Sequence, residues 1–280
     1  MLLKNTYNEF IKIIAKPRSY IGLAALTALI FIILFAMKAD GASYISIVTS
    51  SFEQSLSFNG NILNGNLIAF IILQMLIVQI PLLIALVTGD LISGEAAMGT
   101  IRMLATKPIS RTNIVLSKFI AGAVYTLILT LWLAFLALVV VKFLFGSGDM
   151  MVLNSNGLVI LQESDVLWRY GFGFVIAFLA LLTVSSLSIC LSAFAENSIG
   201  PIVSTMAIII LFTIIGSLDV SVFDAIKPYL FTTHMASWRI LFDDPVDYGA
   251  VGESVLILIV HNIILVGIAI IKFNKKDITS

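Results

Sequence analysis

Charge is what this sequence has least of. Only 11% of its 280 residues are Asp, Glu, Lys or Arg, where a water-soluble domain carries about 25%. Hydrophobic residues make up 60%. So few charges cannot cover so much apolar material in water, and a soluble fold is excluded. The chain reads as an integral membrane protein. Its single cysteine, Cys190, excludes an intrachain disulfide framework, and two histidines leave little from which to build a metal site. Sixteen basic residues balance sixteen acidic ones, so there is no basic footprint for nucleic acid. No G-x-x-x-x-G-K-[ST] run is present to cradle nucleotide phosphates. Gly146-Ser147-Gly148-Asp149 is glycine-rich but lacks the lysine, and it reads as a loop. No H-E-x-x-H pair is present either, which argues against an intramembrane zinc protease. His261, beside Asn262, is left as a helix-packing hydrogen bonder or a substrate contact. No catalytic residue, metal or cofactor is expected in this chain.

What is abundant is uninterrupted apolar sequence. Six charge-free runs occupy residues 20–37, 67–89, 119–141, 170–195, 197–218 and 254–271. At about 1.5 Å per residue the shortest reach roughly 27 Å, just short of a hydrocarbon core of about 30 Å. Lys38 and Lys272 can snorkel at those ends. All six must be helical, because lipid offers no partners for unpaired backbone groups. The fifth helix is expected to begin at about residue 199, since Gly200-Pro201 suits a break and restart after the lone Glu196. The first run is longer than a signal-peptide core and lacks a clear cleavage site, so it reads as a retained span. Residues 1–19 place Leu2, Leu3, Tyr7, Phe10, Ile11 and Ile14 at helical spacing between polar residues, which predicts an amphipathic helix on the membrane surface ended by Pro17.

Basic residues set the orientation. With the N-terminus inside, Lys4, Lys12, Lys16, Arg18, Arg102, Lys107, Arg111, Lys118, Lys272, Lys275 and Lys276 face the cytoplasm, leaving only Lys38, Lys142, Arg169, Lys227 and Arg239 outside. Both termini are therefore expected in the cytoplasm. The outer segment 38–66 is rich in Ser, Asn and Gly and reads as a flexible loop, while 219–253 carries aromatics among charges and reads as short interfacial helices. Met150-Met151 reads as loop or interface. The expectation is thus an all-α integral membrane protein, one domain over residues 1–280, with six transmembrane helices and an interfacial helix at its start.

Polar groups inside the runs are few. Gln74, Pro81 and Thr88 lie seven apart, close to one helical face, either as pathway lining or as a packing seam. Ser204 and Thr205 are further hydroxyls that could line a pathway. Ser185, Ser188 and Ser192 share one face of the fourth run, where small residues permit close packing or contact a substrate. The absence of Asp, Glu, Lys and Arg from every run argues against a proton-coupled carrier, which keeps ionisable groups in the membrane for function. An uncharged pathway suits an amphipathic or hydrophobic solute better than a multivalent ion.

The inner loop 90–118 carries most of the functional signal. Gly94 and Gly99 bracket a short stretch leading to Ile101, Arg102, Met103 and Leu104; Pro108 breaks the chain, and Ser110 can cap a helix that continues into the third span. Physically this is a hairpin projecting a few apolar and charged groups, and it could equally be a solvated positive-inside anchor. In order and place, however, Gly94-Glu95, Gly99-Thr100-Ile101-Arg102, Leu104, Pro108-Ile109-Ser110-Arg111 and Lys118 resemble the signature of type-two ABC transporter permeases, as do the amphipathic start, the sequence Lys16-Pro17-Arg18-Ser19-Tyr20 and the six runs. The resemblance implies a multi-pass protein of a prokaryotic plasma (inner) membrane that forms half of an export pathway. It implies a second permease copy, identical or related, and a separate ATPase subunit holding ATP and Mg. Gly94, Glu95, Gly99, Thr100, Ile101, Arg102, Leu104, Pro108 and Arg111 would couple the two proteins. Ile101, Met103 and Leu104 would fill a cleft in the ATPase, and Glu95, Arg102 and Arg111 would pair with its rim. The alternative is a secondary transporter or channel that does not depend on ATP.

Overall fold

The structure, a computed structural model, describes residues 2–49, 63–100, 109–154 and 157–276. An interfacial helix α1 (Leu2–Ala15) is followed by α2 (Pro17–Thr49), with Pro17 at its first position, where a missing N–H costs nothing. The second membrane element is built from α3 (Gly65–Met75), α4 (Gln79–Thr88) and α5 (Asp90–Ala97). The third is α6 (Arg111–Ala134), continued by a π-helical turn (Phe135–Val140) and α7 (Val141–Phe145). A β-hairpin, β1 (Met150–Asn154) and β2 (Gly157–Leu161), leads into α8 (Glu163–Phe194), and α9 (Ile199–Ser217) follows. The remaining outer segment winds through α10 (Ser221–Asp224), α11 (Phe231–Met235) and two 3₁₀ turns, Lys227–Tyr229 and Ser237–Phe242, before α12 (Tyr248–Lys275).

Among the described residues six helices are long and apolar enough to cross a membrane, over Pro17–Gly41, Gln79–Ala97, Arg111–Phe145, Glu163–Phe194, Ile199–Ser217 and Tyr248–Lys275. The all-α membrane fold expected from composition is therefore present. Ala195 is extended and the Asn197 side chain accepts from Gly200 N–H at 2.8 Å, so α8 and α9 are separate helices joined by a tight turn. Ser110 caps α6, as its position suggests, accepting from Asn113 N–H at 3.3 Å. The core runs through the middle of the bundle, where Leu26, Ile30, Ile68, Ile84, Leu129, Val184 and Leu258 are fully enclosed.

Four expectations need correction. The second run was expected to be one helix over 67–89, but it breaks between Met75 and Gln79. Pro81 explains the break: it has no N–H for the Ile77 carbonyl, and its ring crowds that turn. The same element then continues past residue 89 through Asp90 and Glu95, which the sequence places in a loop. The outer segment 38–66 is helical as far as Thr49, with a non-helical residue at Asp40, and residues 50–62 lie outside the described set. Met150-Met151 begins a β-strand rather than a loop.

The end of the bundle away from the termini is tightly sealed. Asn64 and Asn66 donate to Asp149 O and Gly148 O at 2.6 and 2.7 Å, and Tyr170 donates to Asn66 O at 2.7 Å. Arg169 donates to Leu241 O and Asp243 O and pairs with Asp165. Phe70, Tyr170, Trp238 and Phe242 pack edge to face beneath. Each of these donors has found an acceptor, as burial requires.

Candidate functional site

The chemistry of this molecule concentrates at the end that carries both termini. α1 presents three faces there. Glu9 and Ile13 point into the protein and are buried, Leu3, Tyr7, Ile11 and Ile14 form an exposed apolar stripe, and Lys4, Asn8 and Lys12 lie between the two. A helix with an outward apolar stripe and inward charge belongs at a membrane boundary, with lipid on the stripe.

The inward charges close into a ring. Lys12 Nζ lies 2.5 Å from Glu9 Oε1 and 2.7 Å from Glu95 Oε1. Lys118 Nζ lies 2.7 Å from Glu9 Oε2 and 2.8 Å from Glu95 Oε2. All four carboxylate oxygens are used, signs alternate around the ring, and the net charge is zero. The ring joins α1, α5 and α6. Lys118 is only 1% exposed, so its ammonium has no solvent to fall back on and depends on the two carboxylates. Burial alone would depress the Lys12 ammonium, but the hydrogen bonds and charges of Glu9 and Glu95 outweigh it and hold its pKa above the usual 10.5.

Asp90, one turn and a half before Glu95, makes a second knot. Its Oδ2 lies 2.7 Å from Lys16 Nζ and its Oδ1 2.8 Å from Arg18, with Ser198 of the α8–α9 turn as a further hydrogen-bond partner. Between the knots, Ser192 Oγ of α8 accepts from Ser93 N–H at 2.8 Å and Ile92 N–H at 3.2 Å. These amides lie in the first turn of α5, so a neighbouring helix supplies its N-cap. α5 is thereby fastened to α1, α2, α6, α8 and the α8–α9 turn at once.

The expected coupling residues fall unevenly on this arrangement. Gly94 leaves room for the Asp90 carboxylate, which a Cβ there would strike. Gly99 ends α5 at φ +67°, a conformation in which a side chain is strained. Thr100 Oγ1 donates to Glu95 O at 3.3 Å. Glu95 was expected on the rim facing a partner; it is buried inside the ring instead, because Lys12 and Lys118 satisfy it there. Arg111 was expected on that rim too, but it donates to Asn274 O and Lys276 O at 2.9 and 2.8 Å, closing the C-terminal end of α12. Ile101, Arg102, Met103, Leu104 and Pro108 lie outside the described residues.

The expected pathway residues do not converge. Thr88 is fully buried and its hydroxyl donates to Ile84 O at 2.9 Å, so in this conformation it packs rather than lines a pathway. Gln74 lies before the break and is half-buried, whereas Pro81 and Thr88 lie after it and are buried. Ser204 is exposed on α9, whereas Thr205 is buried and donates to Pro201 O at 2.7 Å. Ser185, Ser188 and Ser192 pack at the centre against α4, α5 and α6. His261 bonds within its own helix to Ile257 O, and Asn262 is the interhelical bonder, meeting Ser186 and Thr183 of α8 at 2.5 and 2.8 Å.

Glu9 and Lys118 were not singled out as site residues. A signal existed for Glu9: Glu9, Lys12 and Lys16 sit at i, i+3 and i+7 on a helix whose other side is apolar. Nothing local marks Lys118 as buried. Among the described residues no group of His, Cys, Asp and Glu could hold a metal ion. Comparison with curated proteins finds no match. A family model does match, over residues 25–279, which leaves α1 and the start of α2 outside the matched stretch. The chain belongs to DUF2705, a family of proteins of unknown function.

Proposed function

We propose that this chain is the permease subunit of an ATP-driven exporter, working with a separate ATPase and a second permease copy, with both termini in the cytoplasm of a prokaryotic cell. The observation that supports it best is the fastening of α5. A partner can shift a conformational equilibrium only by gripping some element differently in each state, and force on that element must reach the spans. The 94–111 hairpin is rooted in α5 on one side and in α6 on the other, and the ion ring ties both roots to α1. A push on the hairpin would therefore move the first, second and third spans together. A solvated positive-inside anchor has no need of such a root.

The ion-coupled carrier is less well supported. Asp90 and Glu95, the buried carboxylates at this end of the second span, are each matched by two cations and leave no acid free to take up a coupling ion. The cargo that fits a pathway without fixed charge is a lipid-like molecule, a hydrophobic peptide or another amphipathic solute. The exposed apolar sides of α2, α9 and α12, with Phe31, Phe35, Val203, Leu211, Leu256 and Ile263, would meet lipid and the second copy.

An ATPase gene beside this one would be the cheapest support, and co-expression with that ATPase is the decisive experiment. Purification should recover both proteins, and Ile101→Asp with Leu104→Asp should abolish capture of the ATPase while membrane insertion stays intact. An ATPase-free preparation that transports solute by itself would defeat the reading.

A further inference from the structure

The break in the second membrane element has a companion at the far end of the bundle. Where Pro81 interrupts the helix, a notch that encloses about 40 Å³, and about 510 Å³ with its open side counted, lies between α3–α4 and α8. Leu73, Ile77 and Ile80 form one wall, Phe174, Ala177 and Leu181 the other, and Trp238 closes the end away from the termini. No charged side chain lines it. Along α8 it runs from Gly173 to Leu181, roughly 12 Å at 1.5 Å per residue, or nearly the depth of one leaflet. Irregular backbone at membrane depth is tolerated only where it is covered or lines a cavity. Met75, Val78, Leu82, Phe172 and Val175 around it are exposed, so the surroundings of the notch face lipid.

Arg239 adjoins the closed end. Its guanidinium carbon lies 5.9 Å from the centre of the Trp238 ring, and Nε is shut away from solvent without an acceptor. Among the described residues no carboxylate pairs with it. Arg169 nearby shows the contrast, with Asp165 and two backbone carbonyls around its guanidinium. Burial holds Arg239 below the usual arginine range. A buried Nε–H without an acceptor costs free energy, and the geometry of the guanidinium fork suits a phosphate or carboxylate.

We infer that this notch holds one alkyl chain of an anionic membrane lipid, with the lipid's acidic headgroup on Arg239. The apolar walls take the chain and the unpaired cation favours a head of net negative charge; in a zwitterionic lipid the phosphate is already balanced by its own ammonium, and a free anion lacks the chain. The site requires no transport and stands apart from the exporter reading.

Trp238 can report occupancy directly. In a Trp132→Phe/Trp168→Phe background it is the sole tryptophan, and bromine on a lipid chain quenches tryptophan at contact distance. The full chain would be reconstituted in phosphatidylcholine vesicles containing a few percent of phosphatidylglycerol or phosphatidylcholine with brominated chains. Brominated phosphatidylglycerol should quench saturably, with an apparent affinity about tenfold that of the neutral lipid, as a charge-assisted hydrogen bond implies. Arg239→Gln should equalise the two lipids while leaving quenching by phosphatidylcholine unchanged, which shows the fold intact; Arg239→Lys should keep part of the preference. Ala177→Phe, filling the notch, should reduce quenching by both. Equal quenching by the two lipids before mutation, a preference that survives Arg239→Gln, or displacement of phosphatidylglycerol by inorganic phosphate would each overturn the assignment.

Discussion

At the scale of single residues, the ring of Glu9, Lys12, Glu95 and Lys118 makes unequal demands on its members. Lys118 is enclosed, whereas Lys12 keeps 44% of its side chain exposed. Lys118→Met would leave two buried carboxylates with one ammonium between them, and breaking a buried pair in this way costs about 3–5 kcal/mol. Its unfolding midpoint in detergent should fall sharply. Adding Glu9→Gln should recover part of the loss, because Glu95 and Lys12 then remain as a neutral pair. An unchanged midpoint for Lys118→Met would mean that the ring contributes nothing. Lys12 gives a dependence on pH. Its pKa in the folded chain is raised above 10.5, so the stabilisation it supplies is complete below that value and is lost as pH climbs through the folded pKa. An alkaline titration above pH 10.5 should therefore separate the wild type from Lys12→Met less and less, while the two differ by a constant amount near neutrality. Of this pairing only Glu9 with Lys12, three residues apart on one helix, was legible in the sequence. Glu95 stood in a motif that suggested an outward role, and its partners lie 83 residues before it and 23 after. Which carboxylate meets which ammonium is settled by packing, and composition carries no trace of it.

At the scale of elements, α5 is a helix of eight residues, too short to persist alone in water. It depends on Ser192, whose hydroxyl receives two of its first amides. Ser192→Ala should cost about 1 kcal/mol, as loss of a cap does. It should also accelerate amide exchange at Ile92 and Ser93 without changing that of α4. Uniform exchange along α4 and α5 would show that the hydroxyl does not act as a cap. The elements also show where pattern reading succeeds. Continuous apolar runs located five of the six spans closely, because hydrocarbon demands length and apolarity and little else. The second span failed at both ends of its logic. A single proline broke it where hydropathy saw no interruption, and two acids that hydropathy reads as a boundary were neutralised by Lys12, Lys16, Arg18 and Lys118, all distant in sequence. The β-hairpin was available to a closer reading: Met150-Met151-Val152-Leu153 and Leu158-Val159-Ile160-Leu161 flank Asn-Ser-Asn-Gly, a turn sequence between two β-prone runs.

For the whole molecule, the contacts already separate two ends. Lys12, Glu95, Arg111, Ala195 and Lys276 meet at one, through the ring, the α12 closure and a bond from Lys276 to Ala195 O. Asn66, Gly148, Arg169 and Asp243 meet at the other. The excess of basic residues at the first end predicts that it lies in the cytoplasm. In a Cys190→Ser chain, an impermeant maleimide applied to intact cells should label Tyr229→Cys and spare Lys275→Cys, both of which occupy exposed positions. The reverse pattern would invert the whole assignment.

The ring also imposes a timetable on synthesis. Lys118 follows Glu9 by 109 residues, roughly 5–20 s of translation at 5–20 residues per second. Until it arrives, Glu9 has no enclosed partner, and α1 must wait at the membrane surface on Leu3, Tyr7, Ile11 and Ile14, its inward face still wet. The first helix to be made is thus locked only once the third span has arrived. A cysteine at Ile13, which is 1% exposed in the finished molecule, should react with a soluble thiol reagent in nascent chains arrested before the third span. In chains arrested after that span has inserted, it should be protected.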